Sequence, residues 1–134
     1  MKSMIDKEKI KAFAQNTLGC GCPEEVFQHI ECESNIRCDG VNVTYKIVIG
    51  NRLLLYVFTM DGPDLLKEIL PRLVDIGKRE RDSSGFNRFR LVLAADDYDN
   101  VRRSGEKLFS SLEKDEKIHL HVLPKTSIPK FFGT

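Results

Sequence analysis

Near the start of the chain the hydrophobic residues recur at helical spacing. Ile10, Phe13, Ala14 and Leu18 share one face, with lysines and other polar residues between them. Asp6 precedes them as an N-cap and Gly19 follows them, which predicts a helix between these two residues. A second, short helix is predicted next, because Pro23 suits a first helical position and Cys22 would be its N-cap. Glu24 and Glu25 would sit at the positive end of its dipole, and Val26, Phe27 and Ile30 would form its buried face. Residues 31–40 (ECESNIRCDG) are polar and rich in turn formers, so they read as a connection.

From Val41 the period changes to two. Val43, Tyr45, Ile47 and Ile49 alternate along one strand, and Gly50-Asn51 supplies a tight turn. Leu53 to Phe58 is apolar at nearly every position, the pattern of a central strand covered on both faces. Leu66, Ile69, Leu70 and Leu73 then return to helical spacing, predicting a helix to about Arg81 that bends at Pro71. Residues 79–87 read as a loop, Phe89 to Ala95 as a short buried strand and residues 96–100 as an acidic turn. Val101, Leu108, Phe109 and Leu112 mark a further helix, and a last strand from Ile118 to Leu123 ends at Pro124.

This order predicts an α/β fold, with α+β as the alternative: an N-terminal helical pair, a β-hairpin and two α-β units forming a mixed four-stranded sheet. The later helices would cover one face, with the N-terminal pair on the other face or at an edge. A chain of 134 residues suits one domain. Within it, residues 1–38 form a helical cysteine-containing segment, 41–124 the α/β core and 125–134 a tail. A hydrophobic share of 41%, a charged share of 31% and a net charge of +1 exclude a disordered chain. The same balance argues against nucleic acid as the main partner. No apolar run is long enough for a bilayer or a signal peptide, so the expectation is a cytoplasmic protein with no membrane association.

Four cysteines in a reducing compartment point to ligation, redox chemistry or burial rather than to structural disulfides. Cys20-Gly21-Cys22-Pro23 carries the strongest chemical signal. Backbone N–H groups at a helix start favour a thiolate at Cys22, and Gly19 and Gly21 allow Cys20 to turn towards the same point. The leading expectation is therefore a Cys-x-Cys site holding zinc or an iron–sulfur cluster, completed by Cys38 or by a partner chain. Its close variant is thiol redox exchange, with Cys22 attacking and Cys20 resolving. Against both stands simple packing of the cysteines, the preferred reading for Cys32 on the last turn of the short helix. For Cys38, Arg37 would favour a thiolate.

Other positions carry weaker signals. His119 and His121 share one face of a strand and could meet one metal, although two half-buried or solvent-facing imidazoles are the plainer reading. His29 reads as surface. Asp96, Asp97 and Asp99 follow a parallel strand, where hard cations collect, yet capping by Asp99 or Asn100 explains them more simply. Lys78, Arg79, Arg81, Arg88 and Arg90, with Arg102 and Arg103, form a basic cluster suited to phosphate or to a solvated face. No phosphate-cradling glycine loop or G-x-S-x-G elbow is present. The competing function class is a non-catalytic interaction module that docks a protein or nucleic-acid partner, or a second copy, through the basic loop or the tail 127–134 with Phe131 and Phe132.

Overall fold

The computed structural model describes residues 5–19 and 24–131. Its elements are α1 (Lys7–Ala12), β1 (Ile30–Cys38), β2 (Val41–Ile49), β3 (Leu53–Met60), α2 (Leu66–Ser84), β4 (Arg88–Ala95), α3 (Tyr98–Ser111) and β5 (Ile118–Pro124). Strand order in the sheet equals chain order. β1, β2 and β3 form an antiparallel meander, whereas β3, β4 and β5 run parallel through the crossover helices α2 and α3. The mixed α/β class matches the sequence expectation, but the sheet has five strands rather than four.

The additional strand is β1, in the stretch that reads as a connection. Glu31, Glu33 and Arg37 dilute its apolar alternation because β1 is an edge strand, and charge on an edge discourages further pairing. Its formation also shortens what precedes it. The predicted short helix ending at Ile30 is a five-residue 3-10 turn, Glu24–Gln28, and Ile30 opens β1 instead. Cys32 therefore lies in a strand, not on a helix.

The first helix is as expected at its start, where Asp6 Oδ1 accepts from the Lys9 N–H at 3.1 Å. It continues past α1 as one π turn, Phe13–Thr17. Helix α2 runs to Ser84, beyond the predicted end at Arg81, and keeps Pro71 inside it; Gly85 closes it at φ 76°. The predicted loop at 79–87 is correspondingly short. Helix α3 opens at Tyr98, three residues ahead of Val101, with Asp97 at the N-cap position, so neither Asp99 nor Asn100 caps it.

The sheet separates two cores. On the first face, Leu54, Tyr56, Phe89, Leu91 and Leu93 meet Leu66, Leu70, Leu73, Val74 and Val101 from α2 and α3. Gly77 allows α2 this close approach, because a Cβ there would lie 2.1 Å from the Phe89 ring. On the second face, Ile47, Leu55, Val57, Val92 and Ala94 are covered by Ile10, Phe13, Leu18, Val26, Phe27 and Phe131. Phe131 is fully buried edge-on to Phe13 and Tyr45, so the C-terminal segment crosses back over this face.

One local irregularity decides where the cysteines point. Asn35 takes φ 50°, and the register skips from Ser34↔Tyr45 to Ile36↔Val43. Opposite it, the Thr44 hydroxyl accepts from the Thr59 N–H at 3.2 Å. The β1–β2 hairpin changes face at this step: Cys32 packs into the second core, whereas Ile36 and Cys38 pack against the first.

Candidate functional site

Cys20, Gly21, Cys22 and Pro23 lie outside the described residues, as does Phe132. Their flanks are described. Leu18 packs in the second core, and Glu24 pairs with Lys11, on the same side of the sheet. Cys38 packs on the opposite side, so it faces away from both flanks of the Cys-x-Cys segment.

The two described cysteines are poor thiolate sites. Burial, followed by the Glu33 charge, pushes the Cys32 thiol up to about 12. Cys38 is also raised, chiefly by burial, with the Glu80 charge adding to the effect and a hydrogen bond with Tyr56 opposing it. The expected assistance from Arg37 is not among these causes, because consecutive strand residues point to opposite faces and Cys38 faces Tyr56 and Glu80. There a closed network forms: the fully buried Tyr56 donates its hydroxyl to Glu80 Oε1, and Lys46 Nζ pairs with Glu80 Oε2.

The acidic turn is likewise satisfied internally. Lys125 Nζ, just past β5, lies 2.9 Å from Asp61 Oδ1 and 3.0 Å from Asp96 Oδ2, bridging the ends of three parallel strands. Asp97 accepts from the Asn100 side chain at 2.9 Å. No group of three or more His, Cys, Asp or Glu side chains able to hold a metal occurs among the described residues.

The basic cluster separates into two kinds of arginine. Arg79 pairs with Asp39 and Asp75, tying α2 to the β1–β2 turn. Arg81, only 4% exposed, is held by Asp115 at 2.6 Å and by Asp82 at 2.9 Å. Arg88 and Arg90 have no such partners among the described residues. They sit two apart on β4, on the face that also carries Val92 and Ala94, so both side chains point the same way.

Their partners are the histidines of β5. Arg88 Nη1 lies 3.1 Å from His119 Nε2, and Arg90 Nη1 lies 2.9 Å from His121 Nε2. Arg90 Nη1 also donates to the Leu18 carbonyl at 3.2 Å. A guanidinium only donates, so each Nε2 must accept, and each imidazole is neutral with its proton on Nδ1. The titration directions agree. Burial and then the Arg90 charge lower His121 to about 4, and the same two causes lower His119.

The cluster therefore holds two cations and two neutral rings, with no carboxylate paired to either arginine among the described residues. Arg90 Nε is buried and without a hydrogen-bond partner among the described residues. Burial and the neighbouring Arg88 charge push the Arg90 pKa down, the reverse of Arg81, which its two aspartates raise. A partly buried guanidinium without an anion is unusual, since buried charge is ordinarily paired. Sequence reasoning named all four residues but put them in separate arguments. The signal that joins them is Arg-x-Arg and His-x-His on the same face of two neighbouring parallel strands.

No helix among the described residues is long and apolar enough to cross a membrane. No family model, curated protein or solved structure matches this chain.

Proposed function

We propose that the protein is a non-catalytic binding module of the cytoplasm that recognises an anionic group of a partner macromolecule on the Arg88–Arg90–His119–His121 face. One observation carries this reading: two guanidinium groups share one face of β4 and have neutral imidazoles and a carbonyl where Arg81 has carboxylates. An arriving anion would receive charge-assisted hydrogen bonds from groups already positioned by the sheet. The test is fluorescence polarisation of labelled polyglutamate and labelled oligodeoxythymidylate at low salt. Binding of either probe that weakens with added salt and is lost in Arg88→Glu is the expected result. Absence of binding to both probes refutes it.

A second proposal keeps the Cys20-Gly21-Cys22 pair as a thiolate site for zinc or an iron–sulfur cluster, or for thiol exchange. Its support is the Arg90 bond to the carbonyl of Leu18, two residues ahead of Cys20, because a nearby guanidinium favours a thiolate. Metal analysis of anaerobically purified protein, compared with the Cys20→Ser/Cys22→Ser double variant, decides it. Metal content or rapid thiol alkylation that disappears in the variant supports the site. Metal-free protein with slowly reacting thiols removes it.

A further inference from the structure

We propose that β5 is a docking edge for an extended acidic segment of a partner protein, which adds to the sheet as a sixth strand and sets alternate carboxylates against Arg88 and Arg90. This inference rests on the anion-binding reading above and specifies its partner.

The two edges of the sheet differ in how they are defended. β1 carries Glu31, Glu33, Arg37 and the Asn35 irregularity, all of which discourage strand addition. β5 (IHLHVLP) contains no lysine, arginine, aspartate or glutamate, has no positive φ and meets its proline only at the last position. It pairs with β4 on one side, and among the described residues no backbone group bonds to the other side. An edge of this kind offers main-chain donors and acceptors to an arriving strand.

The side chains favour an acidic occupant. In register, Arg90 is opposite His119 and Val92 is opposite His121, yet Arg88 reaches His119 and Arg90 reaches His121. Each guanidinium therefore meets an imidazole carried by β5, the strand at the open edge. An added strand would run about 4.8 Å beyond β5, and its alternate side chains, about 6.6 Å apart, would repeat with the same period as the two arginines. Carboxylates at two such positions would supply the countercharge that Arg81 already has from Asp82 and Asp115. The imidazoles between them can donate from Nδ1.

The experiment titrates full-length protein against a labelled peptide alternating glutamate with threonine. Its controls are a block peptide of the same composition, oligodeoxythymidylate, and two forms of the alternating peptide N-methylated on one or the other set of alternate residues. The expected result is that the alternating peptide binds at least about tenfold more tightly than the block peptide and loses that advantage in Arg88→Glu. One of the two methylated forms should fail to bind, because its donors towards β5 are gone, and this comparison leaves the protein unmodified. Equal binding of the block peptide, or full binding by both methylated forms, overturns strand docking. Binding of oligodeoxythymidylate without the alternating peptide also overturns it while leaving the anion-binding reading intact. Failure of every probe defeats the anion-binding reading itself.

Discussion

Arg81 and Arg90 are both withdrawn from water, and the protein treats them in opposite ways. Arg81, at the end of α2, is enclosed by two aspartates that raise its pKa. Arg90, on β4, has an imidazole and a carbonyl, and its pKa is lowered. The contrast extends to the two faces of the sheet. Beneath α2 and α3, Tyr56, Glu80 and Lys46 satisfy one another. On the other side Arg88 and Arg90 are held in place without a carboxylate among the described residues. Both faces bury a core, but only the second carries the unmet electrostatic demand that a binding surface requires.

The largest expected effect comes from tightening the first face. Gly77→Ala would put a methyl group into the fully buried Phe89 ring, a clash that something must shift to relieve. The expected loss is about 3 kcal/mol in urea unfolding, at the upper end for overpacking. Arg88→Ala on the second face should stay within about 0.5 kcal/mol, as is usual for an exposed side chain. Similar costs for the two would erase the distinction between a sealed face and an open one.

The two arginines themselves give the next test. Arg81→Met removes the guanidinium from a site that two carboxylates were placed to fill. Because Asp115 and Asp82 are 41% and 59% exposed and can be rehydrated, the cost should be about 2 kcal/mol rather than the full value for a broken buried pair. Arg90→Met also removes a buried donor that has no acceptor among the described residues, which partly offsets the lost bonds to Leu18 and His121, so its cost should be smaller, about 1 kcal/mol. Unfolding free energies in the reverse order would show Arg90 to be a structural tie and would weaken its assignment to binding.

How much of this was legible in the chain follows from which interactions are local. Helical spacing at Leu66, Leu70 and Leu73 and the unbroken apolar run of β3 fix which elements face inward, so the class and the two-sided covering could be read directly. β1 could not. Its residues pair with water on one edge and with β2 on the other, so Glu31 and Glu33 look like loop residues until a partner strand is supplied. The opposed directions of Cys32 and Cys38 depend on one positive φ at Asn35, which an even spacing in sequence conceals. The Arg–His cluster needed the parallel register of β4 and β5, which brings two separate stretches of chain side by side.

The smallest effect separates the two faces by acidity. His121 has its pKa lowered from 6.5 to about 4, because burial, the Arg90 charge and then His119 oppose its protonation. Unfolded chains take up this proton near pH 6.5 and folded ones only near 4, so the unfolded state binds more protons between those values and stability falls as pH is lowered through that window. Asp115 behaves differently: its pKa drops from 3.8 to about 2 through the hydrogen bond to Arg81, so its contribution is intact until pH falls below about 3.8. Unfolding free energies from urea titrations at pH 7 downward should therefore decline first by about 1 kcal/mol between pH 6.5 and 4, after allowance for partial solvent screening, and a second decline should begin below pH 4. His121→Gln should flatten the first decline and leave the second. If the first slope persists in that variant, the imidazole is not held neutral by Arg90, and the electrostatic difference between the two faces loses its main support.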